Sequence, residues 1–307
     1  MPCIPDDILM LQSWPETQTQ NVSTCSEIFA SLKPSVIRPY GVCNSQDPAS
    51  FPYLLIFVTS AVPNKMLRMA IRKSWGNTEQ DLLKSKVKVV FLVGRERRDT
   101  HQQDLVEESK EYGDILQEGF IDTYANLSIK SVVLLQWFSL NCNNSVQTKY
   151  VLKTDDDMFV NIPNLYSFVQ SNTNPDLLIG HFQTGVVPIR DPASKWFAPR
   201  YLFQEDTYPD YLSGGAYVMH YSVVQRLYHA SLDTPFMHIE DVFVTGVLRQ
   251  KIGINPIGSS RINVGQGRKP TNPDIIGTYF TMHLVGEEAM VGMYTRLINE
   301  SNMSDDQ

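Results

Sequence analysis

Residues 150–161, YVLKTDDDMFVN, place three consecutive carboxylates at the end of an apolar run. Asp155, Asp156 and Asp157 have apolar residues on both sides. Like charges at contact repel, and near a core each raises the pKa of its neighbours. A divalent metal relieves this cost, and carboxylate oxygens suit hard ions such as Mg²⁺ or Mn²⁺, which keep positions open for phosphate oxygens. The stretch therefore predicts a strand that ends in a metal site; the alternative is an acidic turn solvated by water.

The bulk composition limits the class of protein. The chain has 307 residues, of which 42% are hydrophobic and 19% charged, as in a globular protein with a core. This length fits one large α/β domain with an appendage. The net charge of −7 argues against a nucleic-acid partner. No apolar run approaches the roughly 20 residues of a membrane span, and the first residues do not resemble a signal peptide.

Strands and helices alternate before the acidic stretch. The predicted strands are 53–60, 87–93, 115–121 and 149–154, and the predicted helices between them are 64–75, 101–112 and 126–141. Such alternation favours an α/β fold with a mostly parallel sheet and helices on both faces. Right-handed crossovers bring the C-terminal ends of all the strands to one edge, where ligands bind. The acidic stretch lies at that edge, which favours the metal site.

The rest of the chain is less regular. Residues 1–50 predict an irregular N-terminal stem, residues 51–295 one domain, and residues 296–307 a polar tail. The segment 183–210 contains four prolines, and aromatic residues that include Trp196, Phe197 and Tyr201 lie among them, which predicts a structured loop forming a substrate wall. Further strands are predicted at 177–182, 211–219 and 279–284, and further helices at 163–170, 221–230 and 239–252.

Six segments have the order and spacing of known motifs. They are RMAIRKSWG (68–76), FLVG (91–94), EYGDILQEGFIDTYANLSIK (111–130), KTDDDMFVN (153–161), YPDYLSGGAYVM (208–219) and EDVFVTG (240–246). Together they resemble the β-1,3-galactosyltransferase family and its relatives, the β-1,3-N-acetylglucosaminyltransferases and Fringe (glycosyltransferase family 31). The similarity covers roughly residues 50 to 290, and it rests on the order of the motifs because each one alone is weak.

The resemblance implies a single GT-A-type domain that uses a UDP-sugar donor and Mn²⁺. It implies inverting β-1,3 transfer to a glycan acceptor on a glycoprotein or glycolipid, with UDP-galactose as the predicted donor. Three alternatives remain: UDP-N-acetylglucosamine as donor, hydrolysis of a nucleotide sugar, and a non-catalytic protein that binds glycans or nucleotide sugars through a metal. Family members are mostly Golgi membrane proteins, so the resemblance predicts the Golgi lumen, although this sequence shows no membrane anchor.

The family pattern also implies a metal site. It makes Asp157 the main metal ligand, with Asp155 facing the sugar, the ribose or the metal, and Asp156 helping to bind the donor. His283, within TMHLVGEEAM (281–290), resembles a family histidine and is predicted as a second metal ligand. Without the family, a histidine in an apolar strand is better interpreted as a buried, hydrogen-bonded side chain. Imidazole is compatible with Mn²⁺.

A carboxylate pair supplies the predicted base. Inverting transfer needs one group to deprotonate the acceptor hydroxyl. By the family pattern Asp241 is the base, and Glu240 holds either the acceptor or the local structure. The alternative is that both acids stabilise the N-terminus of a helix.

The remaining predicted site residues contact the two substrates. Donor binding is predicted for Arg68, Arg72, Asp122, Lys130, Asp156, Gly214 and Gly215, and acceptor binding for Trp196. Arginine suits a diphosphate, although two arginines on a helix are as readily explained by surface solvation. Adjacent glycines let the backbone approach a sugar closely.

The matched segments also suggest disulfides. The family usually has a glycine where this chain has Ala216, and often a cysteine where it has Leu212. The second difference removes a possible disulfide partner. Cys43 and Cys142 are predicted to pair because both flank the matched domain. The prediction then joins Cys3 and Cys25 within the stem.

Overall fold

The fold consists of ten strands and eight α-helices in the part of the chain that the computed structural model describes, residues 24–31, 35–43, 46–47, 51–77, 83, 86–142, 147–265, 277–283 and 286–304. The strands are β1 (Leu54–Thr59), β2 (Val87–Arg95), β3 (Ile115–Ile121), β4 (Tyr150–Asp155), β5 (Met158–Val160), β6 (Leu178–Gln183), β7 (Tyr211–His220), β8 (Ile257–Gly258), β9 (Ile262–Asn263) and β10 (Thr281–His283). The helices are α1 (Cys25–Ser31), α2 (Lys65–Arg72), α3 (Gln102–Tyr112), α4 (Leu127–Asn141), α5 (Ile162–Ser171), α6 (Tyr221–Ser231), α7 (Arg249–Lys251) and α8 (Glu287–Ser304).

Seven of the described strands form one sheet in the order β3-β2-β1-β4-β7-β6-β8. All of them are parallel except β7, which runs antiparallel to its neighbours β4 and β6. The predicted mostly parallel sheet is confirmed, but the expectation that every strand ends at one edge is wrong for β7. Because β7 runs in reverse, it begins where β4 ends, and Ala216 pairs with Thr154. This reversal brings Gly214 and Gly215 to the acidic turn.

Both faces of this sheet are covered by helices, as predicted. Along β1, Leu55 and Phe57 belong to one hydrophobic core, to which α4 and α6 contribute. Leu54 and Ile56 belong to a second core on the other face, which includes residues of α2, α3 and α5. A strand buried on both faces needs a continuous apolar sequence, which explains why β1 shows no alternation of polar residues.

A disulfide joins the N-terminal segment to the domain. Cys43 is bonded to Cys142, which directly follows α4, so the predicted pairing is confirmed. The second predicted pairing is wrong, because Cys25 carries a free, buried thiol; Cys3 lies outside the described residues. The thiol of Cys25 is shielded by the core, since α1 packs against the same hydrophobic cluster as α4 and α6.

Two helical segments differ from the predictions. The sequence predicts a polar tail from residue 296, and in the structure the first residues of this segment belong to α8, which is formed by Glu287–Ser304. Its apolar residues recur at helical spacing and pack on the second core: Met290, Val291, Met293, Tyr294 and Leu297. The amphipathic α-helix predicted at 239–252 is instead a π-helix over Val242–Leu248 that continues into α7. None of the helices in the described part of the chain combines the length and hydropathy needed to cross a membrane.

Candidate active site

A cleft with a volume of about 750 Å³ opens at the edge where β1 and β4 end and β7 begins. The predicted site residues that line it are Asp122, Lys130, Asp155, Asp156, Asp157, Trp196, Gly214, Gly215, Glu240 and Asp241. His283 contacts Asp157, whereas Arg68 and Arg72 are not part of the lining. The topology explains part of this convergence, since the acidic turn follows the end of β4 and the two glycines lie near the start of the reversed strand β7, while the other residues come from helices and loops at the same edge.

Asp155 ends β4 and is held by two donors on one oxygen. The Thr59 hydroxyl and the Lys153 ammonium donate to Oδ1 of Asp155, at 2.5 and 2.6 Å. Thr59 ends the neighbouring strand β1 and pairs directly with Asp155. The side chain remains 37% exposed. With Oδ1 bound to protein donors, Oδ2 is the oxygen that Asp155 presents to a ligand.

Asp156 faces inward from the same turn. Its Oδ2 accepts hydrogen bonds from the Ser60 hydroxyl at 2.7 Å and from the Asn64 amide at 2.9 Å. Burial raises its pKa, these two hydrogen bonds lower it, and the charges of Asp155 and Asp157 raise it further. Asp156 therefore ties the acidic turn to the loop after β1, and this contact fixes the shape of the cleft floor.

Asp157 points toward β10 and meets a histidine there. Oδ2 of Asp157 lies 3.1 Å from Nε2 of His283, and the two side chains are 42% and 32% exposed. Asp157 directly precedes β5, which pairs with β10 in the small sheet, and Met158 in β5 is opposite His283 in β10. The structure therefore brings together the two main predicted metal ligands, although they are 126 residues apart.

The described residues hold no group of three or more His, Cys, Asp or Glu side chains that could bind a metal. Asp157 and His283 still fit Mn²⁺, because a carboxylate oxygen and an imidazole nitrogen are both suitable donors for this ion and point at the same place. Two protein ligands suffice only for an ion whose other positions are filled by water and by oxygens of a bound ligand. The pair thus fits a metal that binds together with a diphosphate.

Asp241 lies at the N-terminus of the π-helix, next to Gly214 of β7. Its Oδ2 accepts a hydrogen bond from the Gly214 backbone N–H at 3.2 Å, and Oδ1 accepts one from the Val242 N–H at 2.9 Å. Burial and the neighbouring Glu240 charge raise the pKa of Asp241 to about 6, against the lowering effect of these hydrogen bonds and of Lys153. A half-buried carboxylate with this pKa is a suitable general base near neutral pH.

Glu240 is more deeply buried than its neighbour, with 7% of its surface exposed. Its Oε1 accepts hydrogen bonds from the Ser131 hydroxyl at 2.6 Å and the Tyr217 hydroxyl at 2.7 Å. Its Oε2 lies 3.9 Å from the Lys153 ammonium. These contacts hold Glu240 rigidly against the base of the cleft, so any contact with an acceptor falls to Oε2.

Thr245 connects the π-helix to the start of β7. Its hydroxyl accepts a hydrogen bond from the Leu212 N–H at 2.8 Å and lies 2.7 Å from the carbonyl oxygen of Asp241. The Thr245 side chain therefore fixes the π-helix against the strand that carries Gly214. Single π-helical turns often occur at functional sites, and this one places a carboxylate next to the cleft.

The two glycines of β7 allow close packing at the site. A Cβ atom on Gly214 would lie 2.9 Å from Oε2 of Glu240, and one on Gly215 would lie 3.1 Å from Val264. Side chains at these positions would push into the carboxylate pair or into the loop after β9. Both glycines are therefore needed for packing within the protein, and the predicted close approach of their backbone to a sugar stays a prediction.

Lys130 and Asp122 form a buried pair at another wall of the cleft. The Lys130 ammonium lies 2.6 Å from Oδ1 of Asp122 and donates to the Ser60 carbonyl at 2.7 Å. Asp122 also accepts from the Gly94 N–H at 2.8 Å. Both residues line the cleft as predicted, but the Lys130 ammonium already has two partners in the protein.

Arg68 and Arg72 do not face the cleft, which argues against direct contact with a donor there. Arg68 is fully buried and donates to both oxygens of Glu108 at 2.8 Å, to the Ser60 hydroxyl, and to the carbonyls of Ala61 and Val62. Arg72 binds Glu108 and, through two hydrogen bonds of 2.8 Å, Asp114. The alternative of surface solvation is wrong as well: the arginines form a buried ion network with α3.

The loop over 183–210 forms an apolar wall of the cleft. Trp196 and Tyr124 are 48% and 44% exposed, and the Lys195 ammonium lies 4.5 and 5.2 Å from their ring centroids. Arg190 fastens the loop by donating to the carbonyls of Ala198, Phe203 and Glu205. The prediction of a structured loop is therefore confirmed, and its exposed aromatic rings offer a surface on which an apolar sugar face could stack.

Sequence reasoning missed several residues that shape the site. Lys153 is part of the quoted acidic motif, but it is not among the predicted site residues. A buried cation is nevertheless the expected partner of such an acidic cluster. The hydroxyls of Ser131, Tyr217 and Thr245 hold the carboxylate pair, and their sequence positions contain no signal of this because they lie on three different elements.

Comparisons with known proteins agree on one family. A family model described as Galactosyltransferase matches residues 66–259. The chain is 38% identical over 242 residues to Lactosylceramide 1,3-N-acetyl-beta-D-glucosaminyltransferase B of Xenopus laevis, which covers 75% of this chain and 62% of that protein. It is 36% identical over 219 residues to Beta-1,3-galactosyltransferase 1 of Homo sapiens, which covers 70% of this chain and 65% of that protein. The chain thus spans a little under two thirds of the length of these relatives.

Among solved structures, the apo WbbM bifunctional glycosyltransferase aligns with a TM-score of 0.42 and 12% identity, over 76% of this chain and 46% of that one. A likeness this weak supports no functional inference.

Proposed function

Because the chain belongs to the galactosyltransferase family, whose model matches residues 66–259, we propose that it is an inverting β-1,3-glycosyltransferase that moves galactose from UDP-galactose to a glycan acceptor. The observation that carries this proposal is that one cleft contains both a group that can accept a proton and a pair of groups that can hold a metal. Asp241 is a half-buried carboxylate suited to accept a proton, and Asp157 with His283 is suited to hold a metal. A protein that only binds glycans would need the pair that holds a metal but not the group that accepts a proton.

In the proposed reaction, Asp241 acts as general base in a single displacement. The acceptor hydroxyl oxygen forms a bond to the anomeric carbon while its proton passes to a carboxylate oxygen of Asp241. The bond from the anomeric carbon to the β-phosphate oxygen breaks, and UDP leaves with the electron pair. The hydrogen bonds from Gly214 and Val242 hold the carboxylate in place, so that its position does not depend on the substrate.

The donor half of the site lies at the acidic turn. Asp157 and His283 would hold Mn²⁺, and a bound ion there would supply stabilisation of the negative charge that develops on a departing diphosphate. Asp155 presents Oδ2 to the sugar or ribose, and Asp156 keeps the turn in shape through Ser60 and Asn64. Trp196 on the apolar wall offers a stacking surface to the acceptor, and Glu240 offers Oε2 beside the base.

A second donor is supported by the comparison with the Xenopus laevis relative, whose name specifies N-acetylglucosaminyl transfer. The alternative proposal is therefore a β-1,3-N-acetylglucosaminyltransferase with the same base and metal site. We further propose that the enzyme acts in the Golgi lumen. The disulfide between Cys43 and Cys142 supports a compartment of the secretory pathway, where such bonds form and persist.

Release of UDP from a panel of UDP-sugars, with Mn²⁺ and with or without glycan acceptors, tests the proposal. We expect acceptor-dependent release from UDP-galactose. Release from UDP-N-acetylglucosamine alone would replace the first donor with the second. Release that ignores the acceptor would identify a hydrolase, and UDP binding without release from any donor would identify a binding protein.

The pH profile gives a separate prediction for the base. Asp241 must be ionised to accept a proton, so activity rises as pH rises through its pKa of about 6. We expect the acid limb of kcat/KM, which reports the free enzyme, to have its midpoint near this pH. Initial rates at constant ionic strength measure the limb. A midpoint in the ordinary range of aspartate, about pH 4, would show that burial does not raise the pKa of the base.

A further inference from the structure

The ammonium group of Lys153 connects the two halves of the cleft. Lys153 lies on β4 and is buried, with 3% of its surface exposed. Its Nζ donates to Oδ1 of Asp155 at 2.6 Å and to the carbonyl oxygen of Gly214 at 2.5 Å, and it lies 3.9 Å from Oε2 of Glu240. Asp155 belongs to the donor half, whereas Gly214 and Glu240 belong to the half that carries the base.

Electrostatics explain why this lysine stays charged. Burial alone would lower the pKa of Lys153, but the carboxylates of Asp155 and Glu240 outweigh that effect and raise it. A buried charge that loses its partners is strongly destabilising, so the cation and the two carboxylates hold one another in place. Exposed ion pairs do not hold their partners in place in this way, because water screens the attraction between the two charges.

The link to the base passes through one peptide unit. The Gly214 carbonyl accepts from Lys153, and the N–H of the same residue donates to Oδ2 of Asp241 at 3.2 Å. Gly214 also has no room for a side chain, since a Cβ would lie 2.9 Å from Oε2 of Glu240. The position of this backbone segment, and with it one of the two donors to Asp241, therefore depends on the contact with Lys153.

We propose that Lys153 is a positioning residue for the transfer reaction: its ammonium fixes the donor-side carboxylate Asp155 relative to Gly214 and Glu240, and thereby places the base Asp241. The inference rests on the proposed function, since it assigns Asp155 and Asp241 to the two substrates. It adds a residue that contacts neither the transferred sugar nor the acceptor hydroxyl.

The variant Lys153→Met, which keeps the length of the side chain and removes its charge, tests the proposal. We expect kcat to fall about 100-fold, as misplacement of reacting groups by about 1 Å can do. We also expect the acid limb of the pH profile to move up by about one pH unit, because a cation near Asp241 is lost. The ionisable groups that influence Asp241 are Glu240 beside it, Lys153 on β4, Tyr211 on β7, Tyr208 in the loop before β7 and Tyr124 before α4.

A double variant separates positioning from a merely structural role. In Lys153→Met/Glu240→Gln the unpaired carboxylate is neutral, so the acid limb should return toward its wild-type position although kcat stays low. An acid limb that does not move in Lys153→Met, or that does not return in the double variant, would overturn the proposal. The midpoint pH of the acid limb depends on the charges around Asp241. A general loss of stability does not change those charges.

Two controls complete the experiment. Lys149→Met removes a lysine just before the other end of β4, and we expect wild-type rates and an unchanged pH profile from it. If Lys153→Met does not fold, Lys153→Arg serves instead: it keeps the charge, and we expect a lowered kcat with an acid limb at the wild-type pH, whereas wild-type kcat contradicts the proposal. Absence of transfer by the wild-type enzyme would refute the proposed function and not this inference alone.

Discussion

Replacing Asp241 with asparagine should lower kcat for sugar transfer by about 10³-fold, within the range that general bases contribute. Asparagine has nearly the same shape, and its carbonyl oxygen can still accept a hydrogen bond from Gly214 or Val242, which now bind the carboxylate. It cannot accept the proton of the acceptor hydroxyl. The proposed metal ligands Asp157 and His283 lie on other elements, so the Kd for UDP in the presence of Mn²⁺ should change by no more than about twofold.

Transfer rates and calorimetric titration with UDP and Mn²⁺ measure the two expected effects. Asp233→Asn is a matched control, because Asp233 is an exposed aspartate after α6 that pairs with Lys251 away from the cleft. It should leave both rate and binding unchanged. A parallel loss of rate and UDP binding in Asp241→Asn would show that Asp241 belongs to the donor site and that the base lies elsewhere.

The central strands were predictable because a strand that is buried on both faces has a continuous apolar sequence. β3 begins and ends at the predicted residues, and β1, β2 and β4 differ from prediction by one or two residues at their ends. Strand direction has no such pattern in the sequence. The antiparallel course of β7 follows from how the chain returns after the loop over 183–210, and the same sequence would fit either direction.

The candidate site was predictable where chemistry is concentrated in a short motif, as in the acidic turn. It was not predictable where a partner is distant in sequence. Arg68 and Arg72 lie four residues apart, which correctly indicates a shared face, but their common partner Glu108 is 40 and 36 residues away. Spacing within one helix cannot distinguish an arginine that is free to bind a diphosphate from one whose charge is neutralised by a carboxylate of another helix. Lys153 shows the same limit, since Glu240 and Gly214 become its neighbours only after folding.

Removing the carboxylate of Asp157 should have a different effect from removing that of Asp156, although the two residues are adjacent. Asp157 is 42% exposed and its described contact is with His283, so Asp157→Ala should leave the fold intact. It should weaken UDP binding in the presence of Mn²⁺ on the order of 100-fold, because the proposed main protein ligand of the ion is lost. Binding of UDP without the metal should change little.

Asp156→Asn is the matched comparison, because Asp156 is buried and accepts hydrogen bonds from Ser60 and Asn64. The asparagine oxygen can take the place of Oδ2, but a neutral amide oxygen accepts hydrogen bonds less strongly than a carboxylate oxygen, so the free energy of unfolding should fall by about 1–2 kcal/mol. UDP binding with Mn²⁺ should be retained wherever the variant is folded. Calorimetry and urea unfolding of both variants distinguish the two roles. If Asp157→Ala binds UDP and Mn²⁺ as the wild type does, the carboxylate of Asp157 is not needed to hold the metal, and the metal is held elsewhere.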